Sequence, residues 1–391
     1  MRSKTYCVLG TVVLFNFLYM FWLYQSMGYF DGSKTNNFQA TSFNARPIAQ
    51  PDGELLLFWG RRWGGKESWP PEGYKFGKCV ATYERKYISK ARAVIFHFTT
   101  LKDKDFPWTY HRANDQLYIF WNAETPGAVR KELSNAGTDV ALFESGFFNW
   151  SMTYRTDADV YWGYGYRGDL LNYVSRGKDA VDIIIKSKKK LAVWITSNCK
   201  YTDVAKVRME YVQAMEEFGL QITKLGKCFG SYLEENEKYQ IIKEHKFYLA
   251  FENAMHCRDY ISEKFWDNSL KSDSVPIVMG PVREDLLKVA PIDSYIYAED
   301  YDSAAELVQY LLYLDENEEE YRKYFRWRED MSLTDDKMIA TIEEKHPDIK
   351  PMRRPKGLCD AVLENKDIKV INSLTKVLVA NDPEECLNSV H

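Results

Sequence analysis

Residues 247–281, FYLAFENAMHCRDYISEKFWDNSLKSDSVPIVMGP, constrain the fold of this chain more than any other stretch. The runs 247–251 and 275–279 are short, apolar and uninterrupted. Their length suits strands buried on both faces, which favours parallel pairing. Between them Ile261, Phe265, Trp266 and Leu270 recur at helical spacing, so residues 259–270 are expected to form a helix lying on the sheet. Asp259 suits the N-cap, with Ser262 and Glu263 in the first turn. The unit reads as βαβ with a polar loop, residues 252–258, after its first strand.

Open α/β sheets bind ligands beyond the carboxyl ends of their strands, and a helix N-terminus there offers free N–H groups to an anion. Lys264 falls beside that position. Glu252, Asn253, Tyr260 and Glu263 add groups suited to sugar hydroxyls. A cation, an amide and two carboxylates together suit a nucleotide sugar, with its anionic diphosphate and its hydroxyls. The spacing is equally compatible with an exposed Glu263–Lys264 pair and a plain turn at Glu252-Asn253, and no GxGxxG fingerprint is present.

The N-terminus bears on compartment. Arg2 and Lys4 precede an apolar stretch, residues 6–24, broken only by Thr11 and Asn16. That length approaches the ~20 residues a spanning helix needs and exceeds the ~7–15 of a signal-peptide core. The expectation is a type II signal anchor with the remainder luminal; Ser26 and Gly28 leave a cleaved signal peptide as the alternative. Cys7 lies in that segment, which leaves Cys79, Cys199, Cys228, Cys257, Cys359 and Cys386 for an oxidising lumen. Cys199 and Cys228 each follow a predicted parallel strand, 191–195 and 220–225, with one helix between. Neighbouring strands lie ~4.8 Å apart, within disulfide reach, so Cys199–Cys228 is expected. Cys79 is expected to staple the tail through Cys359, with Cys257 and Cys386 paired or free. Asn149-Trp150-Ser151 is an N-glycosylation sequon. No cysteine spacing fits zinc. A net charge of −4 gives no electrostatic reason to expect a nucleic-acid partner.

Further strands are expected at 55–59, 93–98, 117–121 and 295–297, and helices at 204–218, 303–314 and 319–328. Strands alternating with helices over 391 residues indicate two α/β domains.

The run FYLAFEN…DYISEKFWDNSL…SVPIVMGP resembles the signature of the α1,3/α1,4-fucosyltransferases, Golgi enzymes that use GDP-fucose. The pieces GKCVATYERKYISKARAVIFHF, QLYIFWNAETP, FFNWSMTYRTDADVYWGYGYR and YFRWR are similar to the same family, so the resemblance spans about residues 55–350. It implies an α/β fold of two Rossmann-like domains facing across a cleft, the GT-B type, preceded by a single transmembrane helix and a stem. The expected organisation is a cytosolic tail (1–5), a transmembrane signal anchor (6–24), a stem (25–52), an acceptor domain (53–175), a GDP-fucose domain (176–350) and a C-terminal tail (351–391), in the Golgi membrane. The resemblance implies transfer of L-fucose from GDP-β-L-fucose, with inversion, in α1,3-linkage to GlcNAc of N-glycans or related glycoconjugates.

In that reading Glu124 is the general base and Glu263 a second catalytic carboxylate that stabilises oxocarbenium character. Arg208 and Lys264 meet the diphosphate, while Glu252, Asn253 and Tyr260 hold fucose or ribose hydroxyls. Asp157-Ala158-Asp159 has the form of a metal-binding DxD but lies inside the family's own pattern. No metal is expected to be required, Mn²⁺ or Mg²⁺ being at most a stimulant. An inactive luminal glycan-binding protein and a transferase for another nucleotide sugar are the rival readings. The acceptor stays open between Lewis-type lactosamine, LacdiNAc and N-glycan core GlcNAc.

Overall fold

The computed structural model describes residues 53–62, 69–101, 106–144, 146–200, 203–364, 369–375 and 386. The expected cytosolic tail, anchor and stem lie outside the described residues. Among the described residues no helix is long and apolar enough to cross a membrane.

Two sheets organise the chain. The first contains β1 (Glu54–Phe58), β2 (Lys75–Phe76), β3 (Cys79–Thr82), β4 (Ala91–His97), β5 (Leu117–Asn122), β6 (Trp150–Thr153) and β7 (Val160–Tyr161), in the order β2-β3-β1-β4-β5-β6-β7. Only the β2–β3 pairing is antiparallel. The second contains β8 (Lys190–Ile195), β9 (Ile222–Leu225), β10 (His245–Phe251), β11 (Val275–Met279) and β12 (Ile296–Tyr297), all parallel, in the order β12-β11-β10-β8-β9.

Both sheets are buried on two faces, which explains their uninterrupted apolar strands. In β10, Phe247, Leu249 and Phe251 face the helices Lys178–Lys186, Asp203–Glu217 and Ala304–Glu316 through Ile184, Met215 and Leu311. Tyr248 and Ala250 face the opposite layer, which holds Ile261, Phe265, Trp266 and Leu286. Fully burying such a side chain is worth ~1.5–3 kcal/mol. That layer also recruits Leu170 and Leu171, so packing against the second sheet begins before position 176.

In the first sheet Leu56, Ile119 and Trp121 pack under the tail helix Leu358–Glu364, and Leu57, Phe96 and Phe120 pack with Val129, Leu133, Ile371 and Leu374. The tail thus returns to the first sheet, where Cys79 is bonded to Cys359, their Cα atoms 5.6 Å apart. Cys199 is bonded to Cys228 at a Cα separation of 5.5 Å, and Cys257 to Cys386.

The expected helix over 259–270 is broken. The α-helical part is Glu263–Trp266, followed by a 3-10 turn at Leu270–Ser272. Its cap is Ser262, whose side chain accepts from the Lys264 amide, not Asp259. Asp259 has a φ of 61° and turns its carboxylate to Thr156 and Lys288. A single helical turn has little macrodipole to offer an anion. The helix expected at 319–328 is likewise divided, into Glu318–Arg322 and Arg326–Glu329 around a 3-10 turn.

Candidate active site

Read as β9-β8-β10-β11-β12, the second sheet has the doubly wound order 2-1-3-4-5, and its switch point lies between β8 and β10. The loop leaving β10 begins at Glu252. This carboxylate is buried, 1 % exposed, and accepts from the Ser262 amide at 2.7 Å and the Ser262 hydroxyl at 2.8 Å. Lys264 Nζ approaches it at 3.1 Å, and also lies 2.9 Å from Ser262 Oγ and 3.1 Å from Glu263 Oε1. Burial opposes the Lys264 charge, but Glu252 and Glu263 more than offset it and hold the ammonium above its ordinary range. Burial likewise opposes the Glu263 charge, which Lys264 then stabilises, leaving that carboxyl below its usual value. The loop folds this tightly because residue 280 is glycine: its φ is +127°, and a Cβ there would lie 2.7 Å from Glu252 Cβ and 2.9 Å from the Ala254 carbonyl.

Glu124 belongs to the first sheet, two residues past β5. Asn122 fixes its backbone, accepting from the Glu124 amide at 2.7 Å and donating to the Glu124 carbonyl at 2.8 Å. Thr125 then caps the helix Pro126–Asn135, with Pro126 in its first turn, so the carboxylate is held at a rigid strand-to-helix corner. The half-buried Glu124 carboxyl has a raised pKa, first through desolvation and then through the Glu263 charge, with Lys264 and Arg62 acting in the opposite direction. The base candidate from one sheet and the Glu263–Lys264 pair from the other therefore feel each other's charge.

Tyr164 joins these groups. Its hydroxyl donates to the Ala123 carbonyl at 2.9 Å, and its ring meets Tyr260 edge-on, centroids 6.2 Å apart. Its phenol is raised by burial and by the Glu124 and Glu263 charges. Arg62 acts on both Glu124 and the buried His97 at the end of β4; desolvation and Arg62 depress the His97 pKa to about 3, so that imidazole stays neutral. Sequence reasoning had singled out none of these three. The aromatic and glycine alternation of YWGYGYR was the visible signal for Tyr164.

The other expected site residues are held in the same network. Ser262 and Lys264 contact both oxygens of Glu252 and tie it to the loop. Arg208 is fully buried behind the loop. It donates to the Phe251 carbonyl at 2.8 Å and the Asn198 carbonyl at 3.0 Å, joining the chain beyond β8 and β10 at the switch point. Tyr260 is 3 % exposed and packs between Tyr154 and Tyr164. Asn253 is half-buried in the same loop. Asn149 is 1 % exposed; its Oδ1 accepts from the Tyr118 amide at 2.9 Å and its Nδ2 donates to the Lys369 carbonyl at 3.1 Å.

The DxD carboxylates are engaged by protein. Asp157 pairs with Arg155 at 2.9 Å and Arg258 at 3.4 Å. Asp159 accepts from the Ser151 amide at 2.8 Å and pairs with Lys369. A second network ties the two halves: Asp259 accepts from the Thr156 amide at 2.9 Å and hydroxyl at 2.8 Å, while Lys288 lies 3.0 Å from Asp259 and 2.7 Å from Asp285.

The family model described as "Glycosyltransferase family 10 (fucosyltransferase) C-term" matches residues 185–377, and "Fucosyltransferase, N-terminal" matches residues 51–165. The chain is 30 % identical over 304 residues to 4-galactosyl-N-acetylglucosaminide 3-alpha-L-fucosyltransferase 9 of Cricetulus griseus, covering 76 % of this chain and 74 % of that protein. It is 33 % identical over 266 residues to 3-galactosyl-N-acetylglucosaminide 4-alpha-L-fucosyltransferase FUT3 of Bos taurus, covering 67 % and 66 %. A solved α1,3-fucosyltransferase with GDP-fucose aligns over 86 % of this chain and 96 % of that one, with 14 % identity and a TM-score of 0.49. With both halves matched by family models, and with a 30 % identical relative across three quarters of its length, the chain belongs to glycosyltransferase family 10, the fucosyltransferases.

Proposed function

We propose that the chain transfers L-fucose from GDP-β-L-fucose to O3 of GlcNAc in a glycan acceptor, with inversion to the α-linkage. The observation that supports this most is the pairing of a proton-seeking carboxylate, Glu124, with the Glu263–Lys264 pair across from it. Glu124 takes the proton of the acceptor hydroxyl as its oxygen bonds to the fucose anomeric carbon and the bond to GDP breaks. The Lys264 ammonium meets the charge that grows on the departing diphosphate, and Glu263 faces the cationic sugar. Arg208, bonded to the Phe251 and Asn198 carbonyls behind them, adds positive charge on the diphosphate side. The donor, the linkage and the acceptor rest on the relatives' printed names and on this chemistry. A single assay with GDP-fucose and a free GlcNAc-terminated or lactosamine oligosaccharide tests the reading; fucose found only as free sugar would oppose it.

The pH profile carries a second expectation. Glu124 must be ionised to act, and its proton affinity lies above the ordinary glutamate value of 4.5. The acidic limb of kcat/KM is therefore expected above that value, with activity falling as pH falls through it. Glu263→Gln removes a charge that raises Glu124, so the limb should move to lower pH. A limb that does not move in Glu263→Gln would show that another group sets it.

We further propose that no bound metal is needed, because the DxD carboxylates are already engaged by cations and amides of the chain. EDTA is expected to leave substantial activity, with Mn²⁺ or Mg²⁺ as stimulants. Complete loss that returns only with metal would redirect attention to Asp157 and Asp159. Placement in the Golgi membrane through the 6–24 segment belongs to the same proposal, and a full-length fusion that fractionates as soluble protein would oppose it.

A further inference from the structure

The first sheet carries an aromatic surface that the mechanism above does not use. Trp69 and Tyr74 are 44 % and 40 % exposed, with ring centroids 5.3 Å apart. Trp69 also lies 5.2 Å from the half-buried Trp162, and Phe76 supports all three rings from 5.6, 4.8 and 6.4 Å. Contiguous exposed apolar surface of this kind marks a binding site more often than chance. Its position points to which one. Trp162 packs edge-on against Trp121 of β5, centroids 5.8 Å apart, and the same strand leads directly to Glu124. Two residues beyond Trp162, Tyr164 bonds the Ala123 carbonyl.

Trp162 and Tyr164 also border a cavity of about 820 Å³, together with Tyr173 and Trp266. In its wall Gly165 packs directly against Trp266, and a Cβ there would come 2.1 Å from the Trp266 ring. Its rim carries both signs of charge, Asp169 and Asp360 beside Lys271, Arg354 and Lys356. Aromatic faces flanked by polar groups of mixed sign suit an uncharged pyranose, whose C–H face packs on a ring while its hydroxyls reach the rim.

We propose that Trp69, Tyr74 and Trp162 form a stacking subsite for a neutral sugar of the acceptor glycan beyond the GlcNAc that receives fucose. This deepens, and rests on, the reading that the acceptor is a GlcNAc-containing glycan. The subsite binds acceptor only; it neither touches the reacting atoms nor contacts the donor.

The test compares the full-chain enzyme on two acceptors, a simple β-GlcNAc glycoside and a neutral N-glycan oligosaccharide containing the same GlcNAc. Wild-type enzyme is expected to show the lower KM for the oligosaccharide. Trp69→Ala, and Trp69→Ala with Tyr74→Ala, should raise the oligosaccharide KM by about tenfold or more, leaving kcat and the KM values for GDP-fucose and the glycoside within about twofold. Trp69→Phe should restore most of the loss, which a merely misfolded surface would not allow. Equal KM values for the two acceptors in wild-type enzyme, or equal shifts for both in the variants, would overturn the subsite. Wild-type enzyme that fucosylates neither acceptor would overturn the acceptor reading itself, and the subsite with it.

Discussion

Glu124→Gln is expected to lower kcat by about 10²–10⁴-fold while leaving the affinity for GDP-fucose near that of the wild-type enzyme. The substitution keeps the shape of the side chain and removes only its ability to accept a proton. The corner that carries it is fixed by backbone and neighbours: Asn122 holds the Glu124 amide and carbonyl, and Thr125 caps the following helix. Binding on the far side of the site draws on Lys264 and the β10 loop, which the change does not touch. Single-turnover kinetics with calorimetry of GDP-fucose binding separate the two quantities. A Gln variant that retains most of its kcat would remove Glu124 as the base.

The second large effect is expected from Lys264→Ala. The Lys264 side chain is 12 % exposed and Glu252 only 1 %, so removing the ammonium leaves a buried carboxylate without its ion-pair partner. Breaking a buried pair by removing one partner typically costs ~3–5 kcal/mol. Ser262 donates two hydrogen bonds to Glu252, which places the expected loss toward the lower part of that range. GDP affinity should fall as well, because the proposed mechanism assigns Lys264 to the departing diphosphate. Lys264→Ala with Glu252→Gln separates the two effects: neutralising Glu252 should recover much of the stability but not the GDP affinity. Denaturant unfolding and GDP calorimetry on the same samples read both. If the double variant recovers GDP binding, Lys264 serves the loop alone and not the diphosphate.

The parallel strands were readable because burial on both faces demands continuous apolar runs, and FYLAF and VPIVM show them without ambiguity. The corner at Glu124 was readable because a strand end followed by Thr125-Pro126 announces a helix start, but the role expected of Glu124 came from the resemblance alone. The helix after β10 was not, because its apolar spacing persists through residues that tertiary contacts bend away: Asp259 gives up the cap to bond Thr156 and Lys288. Arg208 sits on a helix with partly exposed neighbours, and nothing local signals that the Phe251 and Asn198 carbonyls draw it inside. The sequon at Asn149 is a three-residue pattern, whereas its burial depends on Tyr118 and on Lys369, 220 positions away. Cys199–Cys228 followed from adjacent strands, but Cys257–Cys386 joins a loop to the tail across 129 residues and no periodicity foretells it.

The most direct test of the account is the product formed by the full-length chain from GDP-fucose and a free GlcNAc-containing oligosaccharide, analysed by NMR for linkage and anomeric configuration. The account predicts fucose α-linked to O3 of GlcNAc, formed by the wild-type enzyme and lost in Glu124→Gln. A β-linked product, a linkage to another position, or equal yield from the Glu124→Gln enzyme would contradict it.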